Sequence, residues 1–198
     1  QRRGQRAVTF AVLLAALGPS PISAQTRVAL QGMLGSRALL MIDGGAPRII
    51  LDNVPMANAF QVGPDGKLYI TLGQPFNVPP REKLKMYAEW GIGGIVRMNT
   101  DGSKREVYAT GVRNSVGQDF NPKDGTLWFT DNQTDGMGDD IPLGEINRAT
   151  KAGQFFGYPW KQGKTRITDE GYDKDPLPAN IVDPQVYTVA HAADLGMA

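Results

Sequence analysis

The sequence predicts an all-β protein made of repeated antiparallel sheets, and three observations predict it. Turn formers are abundant, with 24 Gly and 14 Pro in 198 residues, while stretches of helical period are few. Short runs of β-branched and aromatic residues are bounded by Asp-Gly turns. One run also recurs: Pro64-Asp65-Gly66-Lys67-Leu68-Tyr69-Ile70-Thr71 is echoed by Asp124-Gly125-Thr126-Leu127-Trp128-Phe129-Thr130, at an offset of 59 residues from Asp65 to Asp124. Such a period suits the blades of a β-propeller, each a small sheet that cannot bury both faces alone.

In chain order, residues 1–24 carry the pattern of an export signal. Arg2, Arg3 and Arg6 are basic, residues 7–17 are apolar, and residues 19–24 approach a small residue suited to cleavage before Gln25. The apolar run is too short to span a bilayer, so the mature chain is expected to be periplasmic or secreted, without a transmembrane segment. A buried helix is the competing account of the same run. The sequence opens without Met, so it is expected to begin inside a longer reading frame.

Residues 26–53, of uncertain origin, predict short strands at 28–30, 38–42 and 48–51, with Asp43-Gly44-Gly45 as a hairpin turn. Asp43 lacks the neighbouring hydroxyl that an aspartic protease needs, so an ordinary turn accounts for it better. Residues 78–90 are polar and predict a short helical insertion entered at Pro79-Pro80. Residues 94–98 and 106–109 flank Thr100-Asp101-Gly102-Ser103, another hairpin. With a net charge of +1 there is no bias toward nucleic acid, and with no cysteine there is neither disulfide nor thiolate chemistry. At 41% apolar, the chain has material for one ordinary domain.

The stretch 111–147 is the richest in chemistry. Arg113-Asn114 precedes a Pro122-Lys123-Asp124-Gly125 turn and a strand at 126–130. A loop follows that holds Asp131, Asn132, Gln133, Asp135, Asp139, Asp140 and Glu145. So many carboxylates repel one another unless a hard cation offsets them. An EF-hand loop counted from Asp131 has Gly136 at its sixth position but Pro142 at its twelfth, where the bidentate Glu belongs. A calcium-type oxygen loop of another kind and a solvated acidic turn both remain open.

The run GVRNSVG, then PKDGTLWFTDN, GDDIP, GEIN and FFGYPW, resembles the sorbosone and soluble aldose sugar dehydrogenases, which are six-bladed propellers dependent on pyrroloquinoline quinone. GPDGKLYITLG and HAADLGM resemble the same family, and the likeness runs from about residue 60 to the end. At roughly 45–60 residues per blade, residues 25–198 make about three or four blades. The resemblance therefore implies a partial propeller domain over 25–198.

The resemblance also implies a site. Pyrroloquinoline quinone is a flat tricarboxylate, for which Arg113 supplies a guanidinium and Asn114 an amide. Gln74, with Asn77 beside it, is placed at the same pocket, and Tyr158 walls the cofactor with an aromatic face. Calcium is implied at the carbonyls of Gln133 and Thr134, with Asp139, Asp140 and Glu145 as direct or supporting groups. Ordinary roles compete: a blade-to-blade salt bridge for Arg113, a buried turn for Tyr158, loop polarity for Gln74.

Two positions depart from the family. Its Gln two residues after the Asn is Val116 here. Its catalytic base, a His eight residues before the Gly-Pro-Asp motif, falls on Pro55. His191, the only histidine, is then the candidate base, against a structural role. The implied activity is oxidation of an aldose or sorbosone-type sugar. A non-catalytic sugar- or protein-binding propeller, or a metal-dependent lactonase propeller, are the alternatives.

Overall fold

The computed structural model describes residues 27–34, 37–51 and 56–197. The expected export signal and the Pro55 position therefore lie outside the described residues. The first sheet is a meander of β1 (Val28–Leu34), β2 (Arg37–Ile42) and β3 (Arg48–Leu51). Asp43 takes a left-handed φ of 49° at the second hairpin, and its carboxylate caps the N–H of Arg27 at 2.7 Å. This is the plain turn that the sequence predicts at Asp43-Gly44-Gly45.

The second sheet begins with β4 (Ala57–Val62) and β5 (Leu68–Leu72). A connection then runs through a 3-10 turn at Arg81–Lys83 into α1 (Leu84–Trp90). Pro80 sets the entry, because an extended conformation before the turn suits proline. Gly91 ends the helix at φ 74°, where the Ile92 N–H closes on Tyr87 O and any Cβ would lie 2.6 Å from Val96. The short helical insertion that the sequence predicts within residues 78–90 is thus present.

β6 (Gly94–Met98) and β7 (Glu106–Thr110) complete the second meander. The third sheet contains β8 (Gln118–Phe120), β9 (Leu127–Asp131) and β10 (Leu143–Ala149). After it, β11 (Gln154–Phe155) adds in parallel to β7, the hairpin β12 (Lys161–Gln162) and β13 (Thr165–Arg166) follows, and β14 (Val186–Ala190) closes the third sheet against β10. The strand order is β11-β7-β6-β5-β4 in the second sheet and β14-β10-β9-β8 in the third.

β5 and β9 occupy equivalent places, and their bounds keep the 59-residue offset read from the sequence. β4 touches β1 on one side and β8 on the other, so the first strands of successive sheets stand side by side. That is the radial stacking of propeller blades. Alternation along β5 explains why neighbouring blades need one another. Leu68, Ile70 and Leu72 pack with Ala38 and Leu40 of the first sheet, while Tyr69 packs with Leu127, Phe129 and Phe156 toward the third.

Candidate functional site

In an antiparallel meander, alternate strands leave by the same end, so the exits of β5, β7 and β9 share one rim. Asn77 follows β5, Arg113 and Asn114 follow β7, and Asn132 to Asp135 follow β9. Tyr158, beyond β11, joins them because β11 lies on the outer edge of β7. Residues distant in sequence are thereby brought within hydrogen-bond distance.

Asp131, the last residue of β9, organises the rim. Its two carboxylate oxygens accept the backbone N–H groups of Arg113 (2.9 Å) and Asn114 (2.7 Å). The Asn132 N–H and side-chain amide both donate to Asn114 O, at 3.1 and 3.2 Å. The segments carrying Arg113 and Gln133 are therefore locked to each other. Asp131 is 1% exposed and lies opposite Glu145, 2% exposed, in the β9–β10 register. Burial, together with the charge of Glu145, pushes the Asp131 carboxyl well above the usual carboxylate range. Burial also raises Glu145, against hydrogen bonds from Asn147 and from the Gly163 N–H (2.5 Å).

The Arg113 guanidinium donates to Asn77 Oδ1 (2.8 Å) and Asp135 Oδ2 (3.0 Å), with longer contacts to Asn77 O and Asn132 O. The Tyr158 hydroxyl also donates to Asn77 O, and burial pushes its pKa above the ordinary phenol value. Asn58 of β4 donates to Asn114 Oδ1 (2.7 Å). Among the described residues the Asn114 Nδ2 group has no hydrogen-bond acceptor. Gln74 lies beneath this layer, buried against Gly93. With Tyr158, Val112 and Trp160 it lines a largely apolar cavity of about 170 Å³.

On the loop after β9, Gln162 brackets the chain: its Oε1 accepts the N–H and hydroxyl of Thr134, and its Nε2 donates to Asn132 O. Gln133 turns its side chain toward Val189 O and Asp194. Among the described residues neither the Gln133 nor the Thr134 carbonyl oxygen accepts a hydrogen bond. Asp139 and Asp140 are exposed, whereas Glu145 is buried beneath the rim. No three His, Asp or Glu side chains among the described residues converge to hold a metal ion. His191 reaches the same loop, its Nε2 2.6 Å from Gly138 O.

The arrangement offers one guanidinium and an open amide for a carboxylate anion, with two free carbonyls for a hard cation nearby. The model for Glucose / Sorbosone dehydrogenase matches residues 52–198. The chain belongs to this family. An uncharacterized protein of Borreliella burgdorferi is 37% identical over 136 residues, covering 67% of this chain and 33% of that protein. The PQQ-bound aldose sugar dehydrogenase of Streptomyces coelicolor superposes with a TM-score of 0.62 at 22% identity, covering 90% of this chain and 54% of that one. The calcium structure of a Trichoderma reesei carbohydrate-active enzyme of family AA12 gives 0.60 at 17% identity, covering 82% and 55%. The apo form of the soluble aldose sugar dehydrogenase of Escherichia coli gives 0.51 at 19% identity, covering 86% and 54%.

At these identities the solved structures speak to fold, and they agree with the stacked blades. The chain spans about a third of the curated relative and about half of each solved one. Gln162 and Asn58 were not singled out in the sequence, and Asp131, which the sequence places among the oxygen donors of the loop, instead closes β9 and gives both oxygens to backbone N–H groups. Asp131 alone carried a local signal, a carboxylate closing an otherwise apolar strand; Asn58 and Gln162 reach the rim only through tertiary pairing.

Proposed function

We propose that the chain is part of an exported sugar dehydrogenase that oxidises an aldose or sorbosone-type sugar with pyrroloquinoline quinone and calcium. The observation that carries the proposal is the junction at Asp131, which fixes the cation-bearing Arg113 segment against the carbonyl-bearing Gln133 loop. Both halves of a site for a tricarboxylate and a hard cation thus meet at one rim, with the Asn114 amide and two carbonyl oxygens open. When bound, the cofactor would accept hydride from the sugar, with calcium polarising its carbonyl.

The remaining roles belong to this chain. Arg113 would pair with a cofactor carboxylate, exchanging the contact to exposed Asp135 for it, while Asn77 holds the guanidinium in place. Asn114 Nδ2 would donate to the cofactor, its amide oriented by Asn58. Gln133 and Thr134 would give carbonyl oxygens to calcium, with Asp139 and Asp140 available on the exposed side and Glu145 supporting from below. Tyr158 and Gln74 would close the wall beneath. His191, with Nε2–H donating to Gly138 O, keeps Nδ1 as the basic nitrogen for a sugar hydroxyl proton.

Pro55 at the position of the family's base favours a second reading, in which the rim binds cofactor or sugar without turnover. Among the described residues no helix is long and apolar enough to cross a membrane. Titration of the purified chain with the quinone in excess calcium tests the first step. A shifted quinone absorbance that Arg113→Met abolishes is expected, and no shift overturns the dehydrogenase proposal. Dye reduction by aldoses then separates the two readings: binding without turnover selects the non-catalytic one.

A further inference from the structure

Gln162 is 1% exposed and belongs to the largest fully buried side chains, where the others are apolar or aromatic. A primary amide is costly to bury unless both of its ends are paired. Here they are, and all the partners sit on one loop. Oε1 accepts the Thr134 N–H and the Thr134 hydroxyl, each at 2.8 Å, while Nε2 donates to Asn132 O at 2.9 Å. The amide therefore bonds the chain on both sides of Gln133, as a neighbouring strand would. Three polar groups of the loop are taken up in this way, and the carbonyls of Gln133 and Thr134 are not among them.

The position of Gln162 is itself fixed from below. β12 pairs with β13 through Gln162 and Thr165, and the next residue, Gly163, donates its N–H to buried Glu145 at 2.5 Å. Gly163 also passes so close to Leu143 that a Cβ there would stand 2.8 Å from Leu143 O. A rigid run from β10 through Glu145 and Gly163 thus presents one amide to the loop. Only glutamine satisfies this geometry: glutamate has no donor for Asn132 O, leucine or methionine has neither group, and asparagine is shorter by one methylene.

We infer that Gln162 is a positioning residue for a calcium ion, holding the Asn132–Thr134 backbone so that the Gln133 and Thr134 carbonyls are set for the cation before it arrives. The inference rests on the calcium site of the proposed function. Outer groups that orient metal ligands change affinity by about 10- to 100-fold when removed. Gln162→Met, which keeps length but removes both polar ends, is expected to weaken calcium binding within that range. Gln162→Asn is expected to lose less, because the amide survives in a retracted position.

Isothermal titration with calcium chloride alone, without quinone or sugar, reads this directly. Hydrogen exchange on the calcium-free protein gives a second readout, in which the Thr134 amide becomes unprotected in Gln162→Met. Leu40→Ala, a core truncation in the first sheet, controls for general destabilisation and is expected to leave calcium affinity unchanged. If wild type binds no calcium, the proposed metal site itself fails. If wild type binds and both Gln162 variants stay within twofold of it, the positioning role is overturned, as it is if Leu40→Ala weakens binding equally. Should Gln162→Met not fold, Gln162→Asn carries the same comparison.

Discussion

Replacing Asp131 by alanine should unlock the rim without disturbing the sheets. The carboxylate accepts two backbone N–H groups, those of Arg113 and Asn114, at 2.9 and 2.7 Å in a buried setting. Each buried N–H left without a partner costs about 1–3 kcal/mol, so the gross penalty is about 2–6 kcal/mol. Part of this is offset, because alanine also removes a carboxylate that burial and Glu145 disfavour. A net local loss of about 2–3 kcal/mol remains, equivalent to roughly 30- to 150-fold in an opening equilibrium. Hydrogen exchange resolved to single amides is the assay, with protection of Arg113 and Asn114 falling by that factor while amides in β5 and β6 hold. Asp131→Asn keeps one acceptor oxygen and should lose about tenfold. If protection in Asp131→Ala stays within threefold of wild type, Asp131 does not organise the rim.

Three further outcomes follow from the same contacts. Gly111→Ala should lower the melting temperature, since φ is 74° and a Cβ would stand 2.4 Å from the Phe155 ring; the left-handed conformation alone costs about 1–2 kcal/mol. Tyr172→Phe should cost about 1 kcal/mol in urea unfolding, because the buried hydroxyl donates to Pro79 O at 2.8 Å and supports the entry to α1. Asp131 and Glu145 are both held above the ordinary carboxylate range, so the folded state keeps protons that the unfolded state has already lost. Their contribution to stability is thus complete below about pH 4 and is lost as pH rises through the folded values. Urea unfolding in chelator from about pH 5 to 8 should show this decline, and Glu145→Gln should flatten it; a rise in stability of the metal-free protein over that range would contradict the assignment.

Much of the scaffold was legible along the chain. The Asp-Gly turns and the 59-residue echo place β5 and β9 to within a residue, since turn geometry and alternation are local properties of backbone and side chain. Parallel addition of β11 to β7 had no such signature: two residues of strand carry no periodicity, and the pairing forms only because the third sheet packs beside the second. The same limit applied to the rim. Arg113, Asn114, Gln133 and Tyr158 were singled out by motif, but that Asn77 holds both Arg113 and Tyr158 is a consequence of three strands leaving by one end.

By itself, then, the amino-acid order determined the blade pattern, the turns and the chemical kinds of side chain available, because each depends on neighbours a few residues apart. Tertiary structure alone decided that a carboxylate at the end of β9 ties down the Arg113 segment and that Gln162 spans the Asn132–Thr134 loop. Those bonds join groups 17 to 30 residues apart, and they form because burial leaves polar atoms no other partners.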